Sequence, residues 1–212
     1  MRVCLASTSP ARLMLLRQAG IEPLTVSPDV DEDAVAAAAE AERGEPLTPE
    51  ELVLLLARAK ASAVAQSLVE DGGFDGLVIG GDSMFALGGR VYGKPYTPEE
   101  ATRRWREMRG ATGILHSGHS VFRVAPGTDL REATAVAEAA VTFAADVTDA
   151  EITAYVASGE PLLVAGAFTV DSLGGAFITR VEGDPSTVVG MSLSTVRRLA
   201  AELGVRWTDL WS

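Results

Sequence analysis

LASTSPARLMLLRQAG, Leu5–Gly20, is the stretch that decides the class of fold. It closes a mostly apolar run, Arg2–Ala6, that reads as a short buried strand. At Pro10 it opens into a helix that ends at Ala19 and is stopped by Gly20. Ser9 stands at the N-cap and Pro10 at the first helical position, where a missing N–H leaves no bond unmade. Strand, tight turn and helix are the beginning of an α/β chain. The same junction also has a chemical reading. Unpaired N–H groups and the positive end of the dipole favour an anion at a helix N-terminus; Ser7, Thr8, Ser9 and Arg12 would add hydroxyls and a forked cation there. Capping by Ser9 beside a solvated Arg12 accounts for the same residues, and the stretch alone leaves both readings open.

Working outward, three more helix starts carry capping boxes: Thr48-Pro-Glu-Glu51, Thr97-Pro-Glu-Glu100 and Thr148-Asp-Ala-Glu151. In each, threonine and the glutamate three residues on can satisfy each other's backbone N–H. Leu77-Val-Ile-Gly-Gly-Asp82 reads as a strand ending in a carboxylate. A hairpin follows, its Gly88-Gly89 turn joining Met84–Leu87 to Arg90–Tyr92. Further β-rich runs are Leu115–Val124, Ala135–Ala145 and Ala176–Val181, and a final amphipathic helix is expected over Ser192–Leu203. Ala34–Ala41 reads as a short helix or a mobile flap, and Ala125–Arg131 as a hairpin loop. With neither repeat nor linker, residues 1–212 are expected to form one domain.

The chain has 212 residues, 47% of them hydrophobic, and a net charge of −11. That balance argues against a nucleic-acid partner, because neutralising phosphates takes an excess of lysine and arginine. Any anionic ligand must be held by a local cluster of cations. Met1-Arg-Val-Cys4 lacks the pattern of a signal peptide, and no apolar run reaches the roughly 18 residues of a membrane span. A cytoplasmic protein with no membrane partner is expected. The single cysteine, Cys4, reads as a buried strand thiol.

Gly88-Gly-Arg-Val-Tyr-Gly-Lys94 matches the glycine-rich part of a phosphate-binding GxxxxGK loop. Pro95 then occupies the position of the magnesium-binding hydroxyl, lacks an N–H, and disfavours helical geometry at Lys94. A P-loop is therefore rejected, and what remains is a lysine held beside a rigid turn. Lys60 lies in a helical run of small and apolar residues, at its packed side or margin. Asp82 follows Gly80-Gly81 at a strand end, the place where carboxylates of α/β sheets face a binding crevice; capping a turn through Ser83 is the alternative. Asp29, Asp31, Glu32 and Asp33 form an acidic patch that reads as a solvated loop or, near phosphates, as a metal site. His116 and His119, three apart on a strand, point to opposite faces and do not chelate one metal. No serine–histidine–acid signature is present.

Taken together, these pieces resemble the Maf family of nucleotide pyrophosphatases, whose blocks run LASxSPxR, LAxxKA, GAD[ST], GKP and a late VVGLPL. Here they stand as Leu5-Ala-Ser-Thr-Ser-Pro-Ala-Arg12, Leu56-Ala-Arg-Ala-Lys60-Ala61, Gly80-Gly-Asp82-Ser83, Gly93-Lys94-Pro95 and Val188-Val-Gly-Met-Ser-Leu193. The resemblance implies a mixed, twisted sheet with flanking helices and two lobes around a cleft, of the kind shared with inosine triphosphate pyrophosphatases. It implies hydrolysis of nucleoside triphosphates, natural or modified, to monophosphate and diphosphate, and a homodimer. Carried over, Asp82 is the general base, Ser7, Ser9, Arg12, Lys60 and Lys94 hold phosphates, and Glu32 with Asp82 holds Mg2+ or Mn2+. The rival reading is a regulatory protein of cell division that binds nucleotide without turning it over.

Departures fall where the base would be read. The family's dTTP/UTP enzymes carry a second arginine before Arg12, a threonine after the aspartate, and a glutamine in a late Tyr-Gly-Ile-Gln segment. This chain has Ala11, Ser83 and, in Phe168-Thr-Val-Asp171, an aspartate. Losing a cation and replacing an amide by a carboxylate changes the donors and acceptors facing a base, so uracil/thymine preference does not transfer. The family's histidine in a Gly-Arg-Thr-His block is Gly113 here.

Overall fold

The computed structural model describes the whole chain, Met1–Ser212. Strands β1 (Arg2–Ala6), β2 (Leu24–Val26), β3 (Gly76–Leu87), β4 (Arg90–Tyr92), β5 (Thr112–Val124), β6 (Arg131–Phe143) and β7 (Ile178–Gly183) form a mixed seven-stranded sheet. Their order is β2-β1-β3-β5-β6-β7, with β4 paired to β3. Seven helices interleave: α1 (Pro10–Gln18), α2 (Glu32–Arg43), α3 (Pro49–Asp71), α4 (Pro98–Met108), α5 (Asp149–Ala157), α6 (Pro185–Val189) and α7 (Leu193–Glu202). The α/β class read from the opening junction is the class observed.

The chain gathers into two compact units, each built from separated stretches. The first comprises Met1–Asp82, Ser117–Ala137 and Gly190–Ser212, the second Ser83–His116 and Glu138–Val189.

In the first unit β1 lies between two parallel partners, β2 and β3, with Cys4 opposite Leu24 on one side and Val78 on the other. Being paired on both edges makes β1 apolar along Val3–Ala6, all buried, and burial pushes the Cys4 thiol up to about 11. Helix α3 covers this sheet with a stripe that includes Val53, Leu56, Ala57, Lys60, Ala61 and Val64. Two glycines let it settle close. A Cβ at Gly80 would stand 2.6 Å from the Ala57 carbonyl oxygen, and one at Gly118 only 2.2 Å from that of Val53. At both points the helix backbone rests directly on a strand. By length and composition α3 also has the character of a membrane span, a property that looking for an unbroken apolar run does not reveal.

The second unit is built on aromatic rings. Phe85, Trp105, Phe143, Tyr155, Phe168 and Phe177 meet edge to face, with centroids 5.0–5.9 Å apart. Phe85 also explains Gly113: a Cβ there would stand 2.2 Å from its Cζ, so the ring excludes a histidine. Strands β6 and β7 pair antiparallel, Val141 opposite Val181.

Two expectations are corrected, and one left open is decided. The strand at Leu77 does not end at Asp82: β3 runs to Leu87 because Phe85–Leu87 pair with β4, and no turn follows Asp82 for Ser83 to cap. Of the two readings of Ala34–Ala41 the helix is the one observed: it runs over Glu32–Arg43 and is started by Asp31, whose side chain accepts the Ala34 N–H at 3.0 Å. At Thr97 only half of the capping box forms. The Thr97 hydroxyl accepts the Glu100 N–H, but the Glu100 carboxylate turns to Arg103 and Arg104, 2.7 Å from each. The boxes at Thr48 and Thr148 are complete.

Candidate active site

The junction after β1 folds around its hydroxyls. Ser9 caps α1 by accepting the Arg12 N–H at 3.4 Å, and Ser7 accepts the Ser9 N–H at 3.1 Å. Arg12 is not solvated. Its guanidinium turns inward, donating from Nη1 to Ser7 Oγ at 3.3 Å and from Nε to the Gly190 carbonyl at 2.8 Å. Its guanidinium packs against Gly81 of the Gly80-Gly81 pair, where a Cβ would lie 3.4 Å from Arg12 Nε. Half of the plainer reading thus holds and half does not: Ser9 is the cap, but Arg12 is a buried cation rather than a solvated one.

Lys60 sits on the buried stripe of α3, and a lysine there needs an anionic partner. It has two. Its Nζ lies 2.7 Å from Asp82 Oδ1 on β3 and 2.8 Å from Glu32 Oε1 in the first turn of α2. Only 7% of Lys60 and 8% of Asp82 is exposed, against half of the Glu32 side chain. The acidic patch is therefore divided: Asp31 caps α2, and Glu32, one residue on, is delivered to Lys60. The contact at Gly80 brings this about, because α3 at Ala57 and Ala61 touches the strand two residues before Asp82.

The electrostatics follow from burial. Loss of water raises the Asp82 pKa above its ordinary 3.8; Lys60 and Arg12 pull it back without cancelling the shift, and Glu32 pushes with burial. Burial likewise lowers the Arg12 pKa, opposed by Asp82 and Glu32. A carboxylate held above its usual range beside fixed cations is suited to taking a proton from water. Glu32 and Asp82, converging on one ammonium, are an oxygen-only donor pair that fits a hard divalent cation such as Mg2+ or Mn2+.

Ser7, Ser9, Arg12, Glu32, Lys60 and Asp82 therefore come together in the first unit, where Ala11 lies in the first turn of α1. Ser83 is the next residue of β3 after Asp82 and leaves the opposite face of that strand. Lys94 and Asp171 belong to the second unit. Lys94 is exposed, just beyond β4, and no helix starts at it, which agrees with rejecting a P-loop. Asp171 is exposed in the segment between Phe168 and a 3-10 turn at Leu173–Phe177. Two contributors escaped the sequence reading. The Gly190 carbonyl fixes Arg12 from far along the chain, and Gly118 seats α3 on β5. A glycine inside a predicted strand is the signal that could have found the second.

A strand–turn–helix with a buried arginine, and a lysine shared by two carboxylates, place a cluster of opposite charges in the core of an α/β protein. The chain belongs to the Maf-like protein family, which it matches over residues 2–203. It is 62% identical over 213 residues to a nucleoside triphosphate pyrophosphatase of Leifsonia xyli subsp. xyli, covering all of this chain and 97% of that one. It is 50% identical over 208 residues to a protein of the same name from Rhodococcus jostii, covering 98% and 95%. The solved Staphylococcus aureus Ham1 protein aligns at 16% identity and a TM-score of 0.37 over 68% of this chain and 73% of that one, too slight a likeness to add to the fold described above.

Proposed function

We propose that this chain is a nucleoside triphosphate pyrophosphatase, a hydrolase that opens the phosphoric anhydride between the α- and β-phosphates to give nucleoside monophosphate and diphosphate. The names of its relatives support the reaction, and the observation that carries the mechanism is the buried Lys60–Asp82 pair with its raised carboxylate pKa. Asp82 is the base that takes a proton from water as its oxygen attacks the α-phosphorus. Ser7, Ser9, Arg12 and Lys60 in the first unit, and Lys94 in the second, are assigned to the phosphates. A triphosphate brings about four negative charges, and preorganised donors stabilise the charge that develops in the transition state. A divalent cation, Mg2+ or Mn2+, held by Glu32 and Asp82, supplies charge neutralisation when bound.

Base selection is assigned to Ala11, Ser83 and Asp171, over natural or modified nucleotides. The reading places both units in one Maf-like domain spanning 1–212. It carries with it a cytoplasmic setting, a homodimer, and no nucleic-acid or membrane partner; the net charge of −11 supports the absence of nucleic acid.

The test is diphosphate release from a panel of nucleoside triphosphates with Mg2+ or Mn2+. Asp82→Asn is expected to lose about 10²–10⁴-fold in kcat/KM, the range for removing a positioned base. Because the ionised form of Asp82 acts, the wild-type rate should rise with pH through a limb displaced above 3.8, and the variant should lack that limb. Tight nucleotide binding without turnover in the wild type sinks the proposal.

A further inference from the structure

One carboxylate of the second unit has more hydrogen-bond donors than any capping or ion-pairing role requires. Glu160 opens the 3-10 turn Glu160–Leu163 after α5. Its Oε1 accepts from the Tyr155 hydroxyl at 2.9 Å, the Gly174 N–H at 3.0 Å and the Thr169 hydroxyl. Its Oε2 accepts from the Ser172 hydroxyl at 2.7 Å and the Leu173 N–H at 3.2 Å. No cation is among these five partners. Four of them belong to the segment 169–174 and bracket Asp171: Thr169 lies before it, and Ser172, Leu173 and Gly174 after it. The segment is thereby held at both ends by one side chain. The space around Gly174 is tight as well, since a Cβ there would stand 2.6 Å from the Tyr155 hydroxyl oxygen and the Thr169 carbonyl oxygen.

The turn that bears Glu160 is tied on its other side to the loop of Lys94. The Tyr96 N–H donates to the Leu162 carbonyl at 3.0 Å, and the Gly166 N–H donates to the Gly93 carbonyl at 3.4 Å. Tyr96 accepts a left-handed backbone, φ 61°, unusual for so bulky a residue and stored where the surroundings fix it. Within the second unit, one hydrogen-bonded framework thus holds two of the residues assigned to the substrate, Lys94 and Asp171.

We infer that Glu160 is a positioning residue for nucleotide selectivity: by clamping 169–174 it fixes where Asp171 meets the base. This rests on the assignment of Asp171 to the base made above. Burial works to raise the Glu160 pKa, but the bonds from Thr169, Ser172, Gly174 and Tyr155 outweigh it and bring the value down to about 2, so the clamp is ionised at any working pH. An amide of the same shape cannot replace it. Whichever way Glu160→Gln is turned, its NH2 faces a backbone N–H, that of Leu173 or that of Gly174, and one bond is lost.

The experiment compares Glu160→Gln, Asp171→Asn and the double variant by kcat/KM over ATP, GTP, CTP, UTP and dTTP, and by hydrogen exchange at Leu173 and Gly174. Glu160→Gln should lower the ratio between the best and worst nucleotide by about tenfold, as expected when a polar group is no longer aimed at the base. Its kcat on the best substrate should stay within a few-fold, its loss should appear in KM, and at least one of the two amides should exchange faster. The double variant should be no less selective than Asp171→Asn, because the two residues act as a unit. If Asp171→Asn changes selectivity and Glu160→Gln does not, the inference fails while the role of Asp171 stands. Unchanged exchange in Glu160→Gln also overturns it. If exchange accelerates but neither variant alters selectivity, Asp171 does not read the base and the inference falls with that assignment.

Discussion

The two units each contain one lysine, and the two lysines could hardly be set more differently. Lys60 is buried on the core face of α3, its ammonium between Glu32 and Asp82. Lys94 is exposed beyond β4, carried by a loop whose neighbouring residues, Gly93 and Tyr96, are bonded into place. The chain has 16 arginines and no other lysine. Its surface charge is left to arginine, as in Arg43, Arg103 and Arg198, each paired to a glutamate. Lysine remains only at the two positions assigned to phosphates. A compact ammonium fits where a planar fork does not, and it can exchange carboxylate for phosphate without re-forming a bidentate geometry. The difference between the two sites is one of preparation. Lys60 is held in position by the carboxylates of Glu32 and Asp82, and Lys94 by the backbone on which it stands.

The variant that would break this contrast most directly is Lys60→Met. Removing one partner of a buried ion pair leaves the other charge uncompensated, so a loss of about 3–5 kcal/mol is expected in urea unfolding. Lys60 lowers the Asp82 pKa, so its removal raises the folded value further above that of the unfolded chain. The folded variant then binds the extra proton, and its stability deficit grows as pH rises and shrinks in acid. A deficit independent of pH would mean that Asp82 does not depend on Lys60.

Lys94→Ala should leave stability nearly unchanged and cost catalysis alone. Loss of one preorganised donor is worth about 2–4 kcal/mol of transition-state stabilisation, read in kcat/KM. An unchanged kcat/KM would remove Lys94 from the site and leave Lys60 as the only lysine with a chemical role.

How far this contrast was readable beforehand varies with where the partners lie. The junction Ser7–Arg12 was legible because cap, proline and arginine are neighbours in sequence and their spacing sets their geometry. Lys60 announced itself by standing among alanines, but its partner Asp82 is 22 residues away, on another element. The acidic patch could not be resolved from composition, because four adjacent acids look alike until one of them caps a helix and fixes where the next one points. The strand through Asp82 was cut short at its carboxylate, because its continuation rests on the pairing of Phe85–Leu87 with β4; in the fold Gly80 admits the α3 backbone. Glu160 gave no signal at all. One of its donors, Tyr155, lies five residues before it and the other four follow within 14, and they converge only when the segment turns back on α5.

The smallest effect is expected from exchanging lysine for arginine in the second unit. Lys94→Arg keeps the charge at an exposed position with room for the larger head, so kcat/KM should stay within about tenfold of wild type. Lys60→Arg keeps the same charge but must place a planar fork where one ammonium nitrogen lies 2.7 and 2.8 Å from two carboxylates, on a helix face already in contact with the Gly80 backbone. It should lose both stability and activity, as a change of shape rather than of charge. Measured side by side, the pair separates the two kinds of site. If Lys94→Arg falls as far as Lys60→Arg, the loop of Lys94 is as tightly shaped around its ammonium as the core is around Lys60. Exposure in the ligand-free chain would then understate how closely that lysine is held when a nucleotide is bound.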